Sequence, residues 1–301
     1  MLLEQGIGDA YCIAWEFCHW QKGENDLRTY HRNPNYPEFP AGHYSDDTMR
    51  ALANAEVVLG DPARWHDPIA YAQAYQEVHR ADPRQGWSRG FQAYLEANTG
   101  SSPLTFMTGL RRRATNGAVM GVAPLGFLPD ESTVRMACVA QCVSTHHGST
   151  ASSAQAVALA AHYLLFDKGP RHGLLDYLED QVDWSSKDEA ARILCRGSNA
   201  VPQAAMPAWT IAAGALFLLT ETGFTGLADR LAWVTDEGAT GRIDADSLAA
   251  VAMAISSCDP GIPKDLPQAL VDGLEDEAGR ARLTTMDRRL MEFAGLLPMA
   301  D

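Results

Sequence analysis

The sequence has little of what marks a membrane protein or a nucleic-acid-binding protein. Its 301 residues carry 24 Lys and Arg against 38 Asp and Glu, a formal net charge of −14. This balance argues against an extended nucleic-acid partner, because proteins bind the phosphate backbone mainly through lysine and arginine. The most apolar stretch, residues 204–220, contains Pro207 and is short for a membrane span. We therefore expect a buried helix there and no membrane-spanning segment.

The chain also lacks the cysteine patterns of disulfide frameworks and zinc sites. No CxxC pair is present among the six cysteines, which are Cys12, Cys18, Cys138, Cys142, Cys195 and Cys258. Cys138 and Cys142 lie four residues apart in an apolar run, which favours packing in the core. The amino-terminal segment has no basic region and contains Glu4 and Asp9, unlike a signal peptide. These features predict free thiols and a cytoplasmic location.

Alternation of apolar and polar residues, the pattern of a half-buried strand, is almost absent. Apolar residues instead recur at helical spacing. We predict helices at 1–20, 48–59, 68–80, 86–97, 132–144, 149–166, 171–181, 186–196, 204–221, 224–234, 246–257, 265–274 and 285–295. Proline, glycine and asparagine favour loops at 21–44 and 98–127. No repeat or linker divides the chain, so the sequence predicts an all-α fold, a single compact orthogonal helical bundle over residues 1–301.

Two short segments combine carboxylates with a hydroxyl immediately before an apolar helical pattern. The first acid segment is Ser45-Asp46-Asp47-Thr48, and the second acid segment is Asp244-Ala245-Asp246-Ser247. Each alone is typical of a helix amino terminus, where Ser and Asp cap free amides and complement the helix dipole. Together they supply four carboxylates and two hydroxyls, the hard oxygen ligands that Mg²⁺, Mn²⁺ or Ca²⁺ prefers. If the two helix starts meet, the repulsion between their acids calls for a cation between them.

Two further acids lie in the first helical pattern. Asp9 and Glu16 are seven residues apart, two helical turns, and would share one face. A solvated stripe is the alternative, although the apolar neighbours make that stripe narrow. Loss of solvent in such a helix would raise the pKa of Glu16, which makes it a candidate general acid or base. Asp9 is a candidate for supporting other site residues or accepting a hydrogen bond from a sugar hydroxyl.

The two acid segments and the Asp9–Glu16 segment, together with three further motifs that follow the same order along the chain, resemble the ADP-ribosylglycohydrolase family. Its opening motif is similar to Gly8-Asp9-Ala10 with Glu16-Phe17, and its two metal motifs are similar to the two acid segments. Its Asn-Gly loop is similar to residues 115–126, its Thr-His pair to Thr145-His146, and its later Ile-Pro to Ile262-Pro263. The resemblance covers residues 6–263 and implies an all-helical hydrolase.

The chain departs from the family pattern at three places. Arg242 and Ile243 replace two glycines before the second acid segment, and Gly121 replaces the arginine of the Asn-Gly loop. An acid that some members carry in the middle region has no counterpart, since Asp82 is the only Asp between residues 68 and 129. The metal-binding residues are retained. Arg242 would narrow the site or contact phosphate in place of the missing arginine.

The resemblance implies a site for two Mg²⁺ ions, with Mn²⁺ as a possible replacement. The implied metal ligands are Ser45, Asp46, Asp47, Asp244, Asp246 and Ser247. Asp47 and Glu16 form the implied catalytic pair. The implied substrate-binding residues are Asp9, Asn116, Gly117, Ala118, Met120 and His146. Glycine would let backbone amides approach a diphosphate, although an ordinary turn is the alternative for this loop and a helix cap is the alternative for His146.

The implied function is a magnesium-dependent hydrolase that cleaves the ribosyl glycosidic bond of an ADP-ribosylated protein side chain or small acceptor and releases ADP-ribose. The alternative is a catalytically weak or inactive family member that binds ADP-ribosylated partners or a toxin. A third interpretation is a hydrolase of another nucleoside-like glycoside, which would use the same metals. The sequence leaves open whether the acceptor is arginine, serine, a nucleobase or a small metabolite.

Overall fold

The computed structural model describes residues 1–18, 25–84, 86–194, 207–238 and 243–298. Within these ranges the chain is helical and contains no strand, which confirms the predicted all-α fold. The α-helices are α1 (Leu2–Cys12), α2 (Asp46–Val58), α3 (Pro68–Ala81), α4 (Arg89–Asn98), α5 (Pro103–Gly109), α6 (Glu131–Thr145), α7 (Ala151–Leu165), α8 (Leu174–Gln181), α9 (Lys187–Ile193), α10 (Ala208–Thr220), α11 (Leu227–Gly238), α12 (Ala245–Ser256), α13 (Gln268–Gly273) and α14 (Glu277–Phe293). Short 3₁₀ segments lie at Ile13–Trp15, Pro62–Arg64, Asn116–Ala118, Ala123–Phe127, Gly148–Thr150 and Arg171–Gly173.

Helix α12 is the centre of the core. All of its 12 residues are buried, as expected for a helix that is apolar on nearly every side. Helices α1, α7, α10 and α11 pack around it, and α2, α3 and α6 continue the bundle on one side. One contiguous set of buried apolar side chains runs through these helices. This core supports one domain over residues 1–301, which stays a prediction.

The contact between α1 and α12 depends on a small residue. A Cβ atom on Gly8 would lie 2.8 Å from the carbonyl oxygen of Ala249 and 2.9 Å from the Met253 side chain. Because a backbone carbonyl in a buried helix cannot move without shifting the helix, Gly8 allows α1 to approach α12 closely. The same approach brings the end of α1 beside the start of α12.

Gly8→Ala is therefore expected to lower the free energy of unfolding by about 1–3 kcal/mol, the usual cost of adding a methyl group to a well-packed core. Urea denaturation measures this loss. Gly90→Ala is the matched control, because an added Cβ there meets nothing within 4 Å. The control should be as stable as wild type or up to about 1 kcal/mol more stable, since alanine favours a helix. Wild-type stability of Gly8→Ala would contradict the close packing.

The first predicted helix is wrong in its extent. Helix α1 ends at Cys12, a 3₁₀ segment follows, and Glu16 has extended backbone with φ −62° and ψ 121°. The side-chain amide of Asn33 donates to the carbonyl oxygens of Ile13 at 2.6 Å and Glu16 at 3.0 Å. These bonds satisfy carbonyls that a longer helix would pair internally, so the helix stops. Asp9 and Glu16 consequently do not share one helical face.

Other differences concern element boundaries. The predicted loop at 98–127 contains α5, which begins with Pro103 after Ser102 caps it. The predicted helix at 285–295 begins earlier, at Glu277, because Asp276 accepts a hydrogen bond from the Gly279 amide. The predicted helices at 186–196 and 204–221 extend beyond the described residues.

Among the residues that the structure describes, the cysteines are free thiols, and no helix has the length and apolar character to cross a membrane. The cytoplasmic location stays a prediction.

Candidate metal centre and active site

The amino termini of α2 and α12 meet beside the end of α1, and their acids form two triplets. One carboxylate oxygen from each of Asp9, Asp47 and Asp246 lies within 4.8 Å of the others. The same holds for Glu16, Asp244 and Asp246. Asp246 belongs to both triplets. The structure thus brings the two acid segments together with Asp9 and Glu16.

In the first acid segment the Ser45 side chain caps α2 by accepting from the Asp47 amide, whereas Asp244 in the second is not an ordinary helix cap. Asp244 is the N-cap residue of α12, yet its side chain makes no capping hydrogen bond. Its Oδ2 accepts instead from the Asn116 Nδ2 atom at 2.5 Å. Capping aspartates do occur in this protein: Asp130 and Asp276 accept from the backbone amide three residues later, at 2.9 Å and 2.8 Å. The contrast shows that Asp244 is turned toward the acid cluster.

Asp9 holds the start of α2 in place. Its side chain is fully buried and accepts from the Ser45 hydroxyl at 2.7 Å and from the Thr48 hydroxyl at 2.6 Å. It also accepts from the backbone amides of Ser45 and Thr48. Because these donors occupy both carboxylate oxygens, the contacts favour the supporting role predicted for Asp9 over contact with a sugar. Burial raises the pKa of Asp9 to about 6, although its four donors oppose the rise.

Burial also makes the charged forms of the other acids unfavourable. It raises the pKa of Asp46 to about 8, with added repulsion from Asp9 and Asp244 and an opposing effect of Arg50. Burial beside neighbouring carboxylates raises the pKa of Asp47 and of Asp246 well above the ordinary value. Without a cation these groups hold protons that free carboxylates would lose.

Two carboxylate oxygens in the cluster lack a hydrogen-bond partner. Asp47 Oδ1 and Asp244 Oδ1 are buried and have no hydrogen-bond donor among the described residues. A buried carboxylate oxygen without a donor is strongly disfavoured unless a cation compensates it. The side-chain atoms that could bind a metal here are all oxygens, and oxygen ligands suit a hard divalent cation. The residues therefore fit a metal centre.

Glu16 reaches this cluster from the turn after α1 and remains partly exposed. Burial raises its pKa well above the ordinary value, and repulsion from Asp244, Asp46 and Asp9 adds to the rise. A hydrogen bond with Tyr36 opposes it. Burial is the larger cause of the raised pKa, as predicted, but Glu16 lies in a turn beside other acids and not in an apolar helix.

The remaining ligand candidates lie around the triplets. The Ser45 hydroxyl contacts Asp47 Oδ2 at 3.4 Å as well as Asp9, and the Ser247 hydroxyl bonds to Asp47. Asp46 belongs to neither triplet. It lies against Gly86, where a Cβ atom would be 2.9 Å from Asp46 Oδ1.

The Asn-Gly loop forms a 3₁₀ turn, and its amides are occupied. The amide of Gly117 donates to Asn116 Oδ1 at 3.0 Å, and the amide of Ala118 donates to the Thr115 carbonyl at 3.2 Å. The turn itself uses these amides, and their approach to a diphosphate stays a prediction. Gly117 instead packs closely against His146, since a Cβ atom there would lie 2.8 Å from His146 Nε2.

Two other residues predicted to bind substrate are buried near this turn. Ala118 is fully buried, and the Met120 sulfur would lie 3.5 Å from a Cβ atom on Gly117. The Met120 carbonyl accepts from Gln5 Nε2 at 3.1 Å. Their contacts are those of packing residues, and their role in substrate binding stays a prediction.

A set of contacts that the sequence did not predict holds Tyr44, the residue before the first acid segment, in place. The Arg84 guanidinium lies 3.9 Å from the Tyr44 ring centroid and forms an ion pair with Glu275. Arg84 also donates to the Tyr44 carbonyl at 3.0 Å, and the Tyr44 amide donates to Glu275 at 3.0 Å. Asp82, the acid considered for the middle region, pairs with Arg84 and Arg282. No local pattern links residues so far apart in sequence.

A family model described as ADP-ribosylglycohydrolase matches residues 1–297. The chain belongs to the ADP-ribosylglycohydrolase family. The family resemblance inferred from the motifs is thereby confirmed. The fold is also similar to a solved structure titled "ADP-ribosylglycohydrolase-related protein complex", with a TM-score of 0.71 and 20% identity over 97% of this chain and 96% of that one. A comparison with curated proteins found no match.

Members of the ADP-ribosylglycohydrolase family are metal-dependent hydrolases that act on ADP-ribosylated substrates. The acid triplets of this chain fit such a metal requirement. Of the departures from the family motifs, Arg242 lies outside the described residues, and Ile243 is buried. Close packing explains why position 121 is a glycine, because a Cβ atom there would lie 2.6 Å from Arg50 Cβ and 2.7 Å from the Ala51 amide nitrogen.

Proposed function

We propose that this family member is a magnesium-dependent glycohydrolase. It cleaves the ribosyl glycosidic bond of an ADP-ribosylated protein side chain or small acceptor and releases ADP-ribose. The observation that carries the proposal is the pair of carboxylate triplets that share Asp246, with unpartnered oxygens on Asp47 and Asp244. Such a cluster is costly to fold unless it binds cations, so its presence favours a functional centre.

Two Mg²⁺ ions, or Mn²⁺ in their place, would be held by the two acid segments. The proposed ligands are Ser45, Asp46, Asp47, Asp244, Asp246 and Ser247. When bound, the ions would bind ribose hydroxyls and orient a water molecule. Asp9 keeps the first acid segment at the start of α2 through its hydrogen bonds to Ser45 and Thr48.

Glu16 is the proposed proton carrier. Hydrolysis of a glycosidic bond needs a proton for the leaving group or removal of a proton from water. The raised pKa keeps the Glu16 carboxyl protonated to higher pH than an exposed glutamate, and its partial exposure leaves it accessible. Asn116 holds Asp244 through its side-chain amide, and Gly117 and His146, which lie against each other, are proposed to contact the phosphates of the substrate.

A release assay tests the proposed function. Substrates that carry ADP-ribose on arginine, serine, a nucleobase or a small metabolite are incubated with the protein in Mg²⁺ and in chelator. We expect free ADP-ribose from at least one substrate with Mg²⁺ and none with chelator. ADP-ribose binding by calorimetry, without cleavage on any substrate, would instead favour a family member that only binds ADP-ribosylated partners.

Mg²⁺ is expected to stabilise the protein, and more strongly at pH 8 than at pH 6. The ligands must be deprotonated to bind metal, whereas burial raises the pKa of Asp46 to about 8 in the metal-free protein. The folded metal-free protein therefore binds more protons than the unfolded chain, so its stability falls as the pH rises from about 4 toward 8. At a hundredfold over the dissociation constant, the metal contributes about 2.7 kcal/mol.

Melting temperatures measured with Mg²⁺ and with chelator at both pH values check this expectation. Asp246→Asn serves as the control, because loss of the shared carboxylate should remove most of the response to metal. Equal melting temperatures of wild type with metal and with chelator at both pH values would contradict the metal centre.

A further inference from the structure

Three consecutive arginines lie beside the acid cluster and have no part in the metal centre. Arg111, Arg112 and Arg113, here called the arginine segment, follow α5 in a stretch that is neither helix nor strand, and all three are exposed. In the described part of the chain, none of their guanidiniums lies within ion-pair distance of a carboxylate. Arg112 Nη2 donates to the Met107 carbonyl at 3.5 Å. The guanidiniums are therefore available to a binding partner.

The stretch of chain around the arginine segment differs in charge from the rest of the protein. Residues 97–166 contain four arginines and only two acids, Asp130 and Glu131, whereas the whole chain has 38 acids and a formal net charge of −14. Asp130 caps α6, and Glu131 forms an ion pair with Lys168 at 3.1 Å. Adjacent like charges repel, so three unpaired arginines do not stabilise the fold. This local excess of positive charge in an acidic protein favours a role in binding.

Backbone contacts place the arginine segment close to the acid cluster. The Arg113 carbonyl accepts from the His147 amide at 3.0 Å, and three residues later the Asn116 side chain donates to Asp244 at 2.5 Å. Three residues span at most about 11 Å. A carboxylate oxygen of Asp244 lies within 4.8 Å of one of Glu16. The arginine segment thus lies near the proposed proton carrier, where the acceptor would leave.

The chemistry of this segment limits what it can bind. Guanidinium groups pair with carboxylates and phosphates, so the partner is acidic. A nucleic acid carries one negative charge per about 1.7 Å of duplex and would continue onto a surface where acids outnumber basic residues. A few carboxylates on a protein need only the arginine segment itself. The charge distribution therefore favours an acidic stretch of protein over a nucleic acid.

We propose that the arginine segment is a docking surface for acidic residues that flank the modified side chain of a protein acceptor. Each exposed ion pair contributes little, so the three arginines act together. They attract and orient the acceptor, which lowers KM without changing the chemical step. The ADP-ribosylated state of this acceptor rests on the proposed function, whereas the attraction of an acidic peptide does not.

Cleavage of two matched peptides tests this docking surface. Both peptides carry ADP-ribose on the same residue, which is flanked by glutamates in one peptide and by glutamines in the other. At low salt the glutamate peptide should have a roughly tenfold higher kcat/KM, as expected for a few exposed ion pairs, and the difference should lie in KM. It should disappear at about 1 M salt, where the screening length falls to about 3 Å.

A triple variant removes the positive charges of the docking surface. It combines Arg111→Gln, Arg112→Gln and Arg113→Gln, and it should cleave both peptides with equal kcat/KM. Melting temperatures show whether it is folded.

The matched control removes the same number of charges near the other end of α2. Arg289 approaches Glu56 there at 3.7 Å, and Glu56 lies ten residues after Asp46, about 15 Å along the helix. The control combines Arg64→Gln, Arg288→Gln and Arg289→Gln. It should retain the preference of wild type for the glutamate peptide.

The outcomes separate the docking surface from the proposed function. Equal kcat/KM of wild type for the two peptides would overturn the docking surface and leave the hydrolase in place. An equal loss on both peptides in the triple variant would also overturn it, because the arginines would then act on ADP-ribose or on the fold.

Fluorescence anisotropy with the unmodified, labelled glutamate peptide covers the case in which neither peptide is cleaved. Binding by wild type and not by the triple variant would support the docking surface without the hydrolase, and no binding would overturn both. Tighter binding of an oligothymidylate of equal charge would assign the surface to nucleic acid and overturn the proposal.

Discussion

Asp246→Asn is expected to remove turnover and weaken Mg²⁺ binding while the helical fold remains intact. Asp246 contributes to both carboxylate triplets, so a neutral amide in its place affects both halves of the centre. The loss of turnover should be at least 10²–10³-fold, the effect of removing one group that stabilises charge in a transition state. The metal-free variant should be at least as stable as wild type, because the substitution removes repulsion from Glu16, Asp244 and Asp47.

Release of ADP-ribose and titration calorimetry with Mg²⁺ measure these effects. Asp276→Asn is the matched control, because Asp276 caps α14 through the Gly279 amide and lies on an exposed helix start. Asparagine caps helices about as well as aspartate, so this variant should keep wild-type stability and turnover. Full turnover in Asp246→Asn would show that the acid segments only begin helices.

Glu16→Gln is expected to lower turnover by about 10²–10⁴-fold, the usual contribution of a general acid or base. The amide keeps the shape and hydrogen-bonding capacity of the carboxyl but cannot transfer its proton. Affinity for ADP-ribose should change far less, because proton transfer matters only in the transition state. If Glu16 acts as an acid, wild-type turnover falls as the pH rises through its raised pKa, and Glu16→Gln lacks this dependence.

The measurement compares turnover over a pH series with ADP-ribose binding by calorimetry, for wild type and variant together. Glu96→Gln is the control, since Glu96 is an exposed residue of α4 that pairs with Gln92. Its turnover should equal that of wild type at every pH. Equal cleavage by Glu16→Gln and wild type would assign the proton transfer to another group.

Much of the helical fold can be predicted from the spacing of apolar residues along the sequence. The apolar pattern after the second acid segment predicts a helix over 246–257, and α12 occupies Ala245–Ser256. The pattern works because α12 is buried on all sides, so its sequence reflects the core directly. It fails at the end of α1, where the Asn33 amide satisfies the last carbonyls from outside the helix. Such a stop depends on a contact across a loop, which periodicity cannot show.

The sequence by itself determined the family and pointed to the acids that the fold brings together, because both acid segments are short and lie directly before apolar helices. Only the tertiary structure decided how these acids are used. It places Asp9 against the first acid segment, turns Asp244 toward Asn116, and bonds Arg50 to Thr145. The physical reason is distance along the chain: local patterns report which side is buried, whereas hydrogen bonds between remote segments form only when the helices pack.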